Sequence, residues 1–232
     1  MATKKRGLMV AAGIGVPVVV FAAVYLLFFT PDSPSTLNLS GDDPGPAATS
    51  SLAGSWSVAP GSEAGYRVRE KLANLPAPSD AVGRTAVITG GFTVSGQGGS
   101  LVVRDTSFEA DLTKLASDQQ KRDNRIRTMG LESDRFPTAT FKAADPIHVP
   151  KDAVAGRPVQ TKVTGDLTIH GVTRRVTIPI DVQRRGDNVE LAGSITFPFS
   201  EFGMQPPSIP PLVSVGSDAT MELKLVLARV GG

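Results

Sequence analysis

Short segments with a period of two, apolar residues alternating with polar ones, recur between turn signals over most of this chain. Every second residue is apolar from Phe108 to Leu112, with Ser107, Glu109 and Asp111 between them and beside them. A strand with this period buries one face and exposes the other. Similar alternation occurs in residues 163–169, 175–183, 189–199 and 221–227. The pattern predicts an antiparallel sheet with one apolar face.

Turns and further short segments extend this sheet. His170-Gly171 and Gly186-Asp187-Asn188 are hairpin-compatible turns between alternating segments. Further strands are predicted near residues 56–58, 65–68, 86–94 and 139–149. About eight antiparallel strands favour an all-β fold closed into a barrel, because closure removes exposed sheet edges. The interior of such a barrel is either filled by side chains or holds one small ligand.

Two segments depart from the alternation. Ser117–Leu131, with the sequence SDQQKRDNRIRTMGL, is polar and tolerates a helix. It is predicted to form a short helix that caps one end of the barrel. Four of the six residues in Pro206–Pro211 are proline and donate no backbone hydrogen bond, which predicts a stiff loop before the last strand.

The N-terminal part of the chain has the composition of a membrane span. Leu8–Phe29 contains 22 residues and no charge, and at about 1.5 Å per residue it reaches roughly 33 Å. That length spans a hydrocarbon core of about 30 Å. Lys4, Lys5 and Arg6 precede it, so the positive-inside rule places residues 1–7 in the cytoplasm and the rest of the chain outside.

The alternative for this segment is a cleaved signal peptide. Such a peptide has an apolar region of about 7–15 residues and a small-x-small cleavage site soon after it. Phe28-Phe29-Thr30-Pro31 provides no such site, so we expect an uncleaved anchor. Residues 30–53 are rich in Pro, Ser, Thr, Gly and Asp and are predicted to be a flexible linker. Residues 54–232 form the predicted barrel domain.

Composition excludes several classes of site. The chain has no cysteine and only two histidines, His148 and His170, which excludes disulfides, thiolate catalysis and histidine-rich metal sites. Without the three basic residues before the apolar run, the net charge is −1. The basicity therefore belongs to the anchor, and we expect no nucleic-acid partner. No phosphate-binding loop, G-x-S-x-G or H-E-x-x-H motif occurs, so we expect no cofactor, no metal and no enzymatic activity.

Several segments resemble the YceI-like family, and together they cover nearly all of the barrel domain. They are Trp56-Ser57-Val58, Asp118–Phe141 and the motif GDLTIHGVTR at residues 165–174. Phe202-Gly203, followed by the proline-rich loop and Val215-Gly216, agrees in order and spacing. The 165–174 motif is the most specific of these.

The resemblance implies a lipocalin-like barrel, since YceI-like proteins are known as polyisoprenoid-binding proteins. It also implies a long apolar tunnel that accepts an isoprenoid tail. One position departs from the family pattern: a histidine is common shortly after the Arg-Asp pair, and Asn124-Arg125-Ile126 stand there in this chain. No role of that histidine is transferred.

The candidate ligand-binding residues are the inward apolar members of the predicted strands. They are Phe92, Val94, Phe108, Leu112, Phe141, Leu167, Ile169, Ile178, Ile180, Ile195, Phe197, Leu223 and Leu225. These side chains either line a cavity or fill the barrel. Arg122, Asp123 and Arg125 on the capping segment either meet a polar headgroup or form a solvated ion pair. His170 is expected to have a structural role in its turn.

The predicted function is extracytoplasmic binding, sequestration or hand-over of a hydrophobic polyisoprenoid or quinone-like lipid, with the bilayer as the second partner. An exported interaction or scaffold module with a filled barrel is the alternative. An enzyme would require a polar cluster inside the barrel, such as His170 pointing inward beside a carboxylate. The sequence names no protein partner.

Overall fold

The structure is a computed structural model, and it describes residues 33–41, 51–73, 77–97, 100–154 and 157–231. The predicted transmembrane segment, residues 8–29, and the predicted cytoplasmic residues 1–7 lie outside these ranges. Among the described residues, no helix combines the length and the apolar character needed to span a bilayer.

Eleven strands and two short helices make up the described part of the chain. The strands are β1 Gly54–Val58, β2 Glu63–Leu72, β3 Ser79–Thr85, β4 Ile88–Gln97, β5 Ser100–Asp111, β6 Thr138–Ala143, β7 Ile147–His148, β8 Val159–Ile169, β9 Val172–Arg185, β10 Asn188–Pro198 and β11 Val213–Arg229. The helices are α1, Gln120–Thr128, and α2, Lys151–Val154. Two 3-10 helices, Leu112–Lys114 and Phe199–Phe202, follow β5 and β10.

Eight of the strands close into an antiparallel barrel. They follow the order β1, β4, β5, β6, β8, β9, β10 and β11, and β1 completes the ring by pairing with the end of β11. Trp56 of β1 lies opposite Arg229 on one side and Phe92 on the other. The hairpin of β2 and β3 continues the sheet from the first two thirds of β11. The predicted all-β barrel of about eight antiparallel strands is therefore confirmed.

The turn between β8 and β9 shows how local sequence sets the register. Ile169 pairs with Val172, which leaves His170 and Gly171 as a two-residue hairpin loop. Their φ angles are 53° and 71°, and two consecutive positive φ angles match the twist of the flanking strands. The turn fixes which residues of both strands face the barrel interior.

The capping helix is shorter than the sequence pattern predicts. The predicted segment was Ser117–Leu131, and α1 occupies its central nine residues. Ser117 lies before the helix because its backbone N and its Oγ donate to the Asp123 carboxylate, at 3.0 and 2.6 Å. This side-chain contact satisfies a backbone donor near the start of the helix that would otherwise lack a partner.

The two ends of the barrel have different neighbours. At the α1 end, Arg122 of α1 pairs with Glu70 of β2, and Phe136 packs against His170 in the β8–β9 turn. The proline-rich loop before β11 lies at this end as well. The opposite end, called the α2 end, holds α2, the β4–β5 and β9–β10 turns and the last residues of β11.

Buried side chains form two separate clusters, one toward each end. The cluster toward the α1 end contains Val68, Leu167, Ile169, Val176, Ile178, Phe197, Phe199, Phe202, Met204 and Ala219. The cluster toward the α2 end contains Leu52, Trp56, Ile88, Val94, Val189, Leu191, Leu225 and Leu227. The indole Nε1 of Trp56 donates to the carbonyl of Leu52 at 2.9 Å, which ties the chain before β1 to the second cluster.

Residues 33–41, called the N-terminal strap, lie along the outer face of the sheet. At one end of the strap, the backbone N of Asp80 on β3 donates to Ser33 Oγ at 3.1 Å. At the other end, the backbone N of Ser40 donates to Glu190 Oε2 on β10 at 3.1 Å. The strap therefore crosses from the β2–β3 hairpin over β11 to β10.

The middle of the strap accepts hydrogen bonds from two arginines. Arg67 Nη2 donates to the Pro34 carbonyl at 2.7 Å, and Arg84 Nη2 donates to the Ser35 carbonyl. The strap belongs to the predicted linker, residues 30–53. Its polar composition left these contacts unpredicted, and the flexibility of that linker stays a prediction.

Candidate ligand-binding cavity

The barrel encloses a cavity of about 190 Å³ that extends from the α2 end toward the α1 end. A single water molecule needs only about 10–15 Å³ of cavity volume, so this cavity is large enough for a ligand many times that size. Its wall on β8 extends from Val159 to Leu167. Eight steps of about 3.3 Å along a strand give roughly 26 Å, so the cavity is elongated.

Nine of the thirteen predicted ligand-binding residues stand on this wall. They are Phe92, Val94, Phe108, Phe141, Leu167, Ile178, Ile180, Leu223 and Leu225. They reach it because alternate residues of each strand face the same side of the sheet. Aliphatic and aromatic side chains from β4, β5, β6, β8, β9 and β11 therefore meet around one space. Contact of these residues with a ligand stays a prediction.

The other four predicted residues lie away from the cavity wall. Ile169 and Phe197 are buried in the cluster toward the α1 end, and Ile195 packs against that cluster. Leu112 is buried where β5 gives way to a 3-10 helix. The inward stripe thus continues past the cavity into a part of the barrel that side chains fill.

An aromatic plug, made of Phe197, Phe199, Phe202 and Met204, occupies that filled part. Phe202 is 0% exposed, and its ring meets that of Phe197 edge to face with centroids 4.7 Å apart. Phe202 and Met204 lie beyond the alternating segment 189–199, so strand periodicity could not place them. The barrel therefore contains a cavity and, at the α1 end, a part that is filled by side chains.

The three candidate headgroup residues lie at the α1 end and none is on the cavity wall. Arg122 Nη2 is 2.5 Å from Glu70 Oε1, and Nη1 contacts Asp118. Asp123 accepts from Ser117. Ion pairing and capping therefore occupy the side chains of Arg122 and Asp123, whereas the Arg125 side chain is half-buried on α1.

A half-buried tyrosine, Tyr66, lies beneath this charged group with its hydroxyl oxygen buried. Burial raises the pKa of Tyr66 above its ordinary value, and the nearby charge of Arg122 offsets only part of the increase. The phenol is therefore neutral over the physiological pH range. The α1 end thus combines a neutral buried phenol with an ion-paired surface.

His170 lies beside a carboxylate but outside the cavity. Its Nε2 is 3.3 Å from Glu132 Oε1, and its ring centroid is 4.3 Å from that of Phe136. The imidazole packs at the rim of the α1 end and is absent from the cavity wall. The position agrees with a structural role in the turn.

Comparison with known proteins identifies the family to which this barrel belongs. The sequence profile of the YceI-like domain matches residues 58–227. The chain belongs to the YceI-like family. No curated protein matches the chain closely enough to be counted as a relative.

Three solved structures illustrate what this chain is similar to. A polyisoprenoid binding domain from Saccharophagus degradans, implicated in plant cell wall breakdown, is 16% identical with a TM-score of 0.57, over 75% of this chain and 98% of that one. BcnA of Burkholderia cenocepacia is 19% identical with a TM-score of 0.47, over 70% and 95% of the two chains. A YceI protein of Campylobacter jejuni is 14% identical with a TM-score of 0.49, over 70% and 91%.

Sequence reasoning missed the polar members of the wall in this YceI-like barrel. Arg184 continues the inward positions of β9 at the α2 end, and its side chain is 9% exposed. Its Nε donates to the Gly186 carbonyl at 3.1 Å. The parity that selected Ile178 and Ile180 could have found it. His148 lies at the same end of the wall, on a two-residue strand that no alternation marks.

Proposed function

We propose that this YceI-like barrel binds the apolar tail of a polyisoprenoid or quinone-like lipid, and that it sequesters the lipid or hands it over. The elongated apolar cavity inside the barrel carries the proposal. The name of the Saccharophagus degradans domain, a polyisoprenoid binding domain of the same fold, supports it.

The energetics favour a long hydrocarbon ligand. Burial of apolar surface contributes about 0.8 kcal/mol per CH₂ group, so a five-carbon isoprenoid unit gains roughly 4 kcal/mol. The wall offers aliphatic and aromatic side chains for almost its whole length. A tail needs no charged contact to be held there, and its affinity grows with the number of units buried.

The proposed place of action is outside the cytoplasm, next to the membrane. The uncharged run Leu8–Phe29 and the cations before it support an N-terminal anchor with the barrel on the outer side. A lipid that leaves a bilayer exposes its tail to water, so a barrel held near the membrane shortens that exposure.

We propose binding without chemical conversion. The polar residues on the described wall are Thr106, Glu109, Thr140, His148, Thr161 and Arg184, and they stand on five different strands among apolar neighbours. His148 and Glu109 form no ion pair with each other in the described part of the chain. The one histidine–carboxylate pair among the described residues, His170 and Glu132, is at the rim beyond the aromatic plug. The wall therefore supports retention of a ligand better than proton transfer.

Mass spectrometry of organic extracts tests the proposal. Residues 33–232, which retain the strap, are purified without detergent from the native host or a close relative. We expect a stoichiometric isoprenoid or quinone in the extract. An empty extract, together with no uptake of added polyprenyl lipid, rejects the proposal and favours the scaffold alternative.

A further inference from the structure

Two large apolar side chains are exposed at the α1 end of the barrel. Leu212 is 61% exposed and Met129 is 50% exposed. Single exposed apolar residues are ordinary on a protein surface. The significance of this pair depends on where it lies and on what surrounds it.

Leu212 and Met129 end two neighbouring segments. The Leu212 carbonyl accepts from the backbone N of Ala73, just beyond β2, at 2.9 Å. Met129 follows the last residue of α1, and a Cβ on the next residue, Gly130, would lie 3.4 Å from the ring of Pro207. The proline-rich loop and the end of α1 therefore adjoin each other and project the two side chains from the same end of the domain.

The N-terminal strap begins toward the same end of the domain. It begins at Ser33, next to Asp80, and it ends at Ser40, next to Glu190 near the start of β10. Asp80 pairs with Arg69 of β2, only four residues from Ala73. At about 3.3 Å per residue, the strap begins roughly 13 Å along the strand from the level of Leu212.

The direction of the strap is informative because of what precedes it in sequence. Successive strap residues contact positions farther and farther from the α1 end, so Ser33 is the strap residue nearest that end. Residues 1–32 contain the apolar run, residues 8–29, with the composition of a membrane span. Ser33, the first described residue after this run, thus lies toward the α1 end.

Basic side chains are also present at the α1 end, on β2 and on α1. Lys71 and Lys121 are exposed, Arg125 is half-buried, and none of the three takes part in an ion pair among the described residues. Asp134 and Asp118 at this end pair with arginines. Long cationic side chains beside apolar ones suit a bilayer surface, where the cation meets anionic headgroups and the apolar group enters the interface.

We propose that the α1 end is the surface with which this domain rests on an anionic phospholipid bilayer, with Leu212 and Met129 entering the interface. This inference rests on the membrane attachment proposed above. It concerns a surface separate from the ligand cavity, because the aromatic plug lies between the two.

Site-specific fluorescence quenching in the full-length chain tests the inference. The chain has no cysteine, so L212C, M129C and V230C each carry one fluorophore. Val230 is the matched control, since it is apolar and 56% exposed but lies at the α2 end, where its backbone N donates to Ser55. The proteins are placed in nanodiscs of phosphatidylcholine and phosphatidylglycerol that contain a lipid with a nitroxide on its headgroup.

We expect nitroxide to quench the labels of L212C and M129C strongly and that of V230C weakly. Equal quenching at the three positions, stronger quenching for V230C, or none at any position overturns the inference. Contact between two copies through this face would give fluorophore-to-fluorophore transfer without quenching by nitroxide, and it also counts against the inference.

Two further readouts separate this inference from the proposed function. Flotation of the nanodiscs reports membrane attachment, and failure of the chain to float with them rejects the attachment and the inference together. Mass spectrometry of the same variants reports cavity occupancy, which we expect to be unchanged. Loss of quenching with the ligand retained would reject the docking surface alone.

Discussion

Arg67 on β2 and Glu222 on β11 form an ion pair on the outer face of the sheet, with Nε 2.5 Å from Oε1. Glu222 is nevertheless only 2% exposed. Two features account for this burial: Arg84 Nη2 lies 3.5 Å from its second oxygen, and the strap crosses the same face of the sheet. Glu222 thus lies on the outer face of the sheet but is as buried as a core residue.

We expect Glu222→Ala to lower the free energy of unfolding by about 3 kcal/mol. Removing one partner of a buried ion pair leaves the other charge uncompensated, at a cost of about 3–5 kcal/mol. We use the lower value because Arg67 still has a second partner in the variant, with its Nη1 3.3 Å from Asp80 Oδ2. Urea unfolding checks this, with Glu63→Ala, whose side chain is 46% exposed, as the control. Equal midpoints for both variants would contradict the prediction.

The strap is expected to stabilise the domain. Replacing residues 33–41 with a Gly-Ser segment of equal length removes side-chain contacts such as that of Ser33, and it frees the segment that covers Arg67 and Glu222. We expect a loss of about 1–3 kcal/mol in urea unfolding, since groups that were buried become partly solvated. Hydrogen exchange should also become faster in β2 and β3.

The control for the strap is Thr36→Ala. Thr36 is exposed, and its side chain contacts only Asn38 within the strap. Surface changes of this kind stay within about 0.5 kcal/mol. If the Gly-Ser replacement has no larger effect than Thr36→Ala, the strap contributes nothing to the stability of the domain.

Filling the cavity should abolish ligand binding without unfolding the barrel. Ile180 lies on the cavity wall, and Ile180→Trp adds a large ring to that space. We expect the ligand to disappear from organic extracts of this variant while the circular dichroism spectrum is kept. Lys162→Trp is the matched control, because Lys162 is exposed on the neighbouring strand opposite Pro179. Ligand retained in Ile180→Trp would place its binding elsewhere.

The barrel could be predicted because one physical rule governs most of its strands. A one-residue slip would turn the apolar face outward, so the alternation in β8 and β9 also fixes their register. His170-Gly171 added the turn that joins them, and the structure has both residues at positive φ. The same parity placed Ile178 and Ile180 on the wall.

That rule does not predict features that depend on contacts between residues far apart in the sequence. The strap has a linker composition, and its docking depends on Arg67 and Arg84, which lie far along the chain. The sequence places candidate headgroup residues on the capping helix, but Arg122 pairs there with Glu70. The cavity instead reaches toward Arg184 at the opposite end. Strand periodicity predicts neither the cavity nor the filled part beside the plug, because the same inward stripe of apolar residues runs through both.

The contrast between the filled plug and the cavity wall leads to a final prediction about the free energy of unfolding. Phe202 is 0% exposed in the aromatic plug, whereas Phe92 is half-buried and borders the cavity. Phe202→Ala removes close contacts on every side, so we expect it to lower the free energy of unfolding by about 3–5 kcal/mol.

Phe92→Ala should lower the same quantity less, because one side of its ring already faces empty space and forms no packing contacts there. Urea unfolding of the two ligand-free variants compares them directly. Added polyprenyl lipid should then stabilise the Phe202→Ala protein, provided that it folds, more than the Phe92→Ala protein. The plug variant keeps the whole cavity wall, and a ligand that binds only the folded state raises its stability. Equal losses of unfolding free energy from both substitutions would mean that the side chains around Phe92 are packed as tightly as the plug. The cavity would then have no room for a lipid tail.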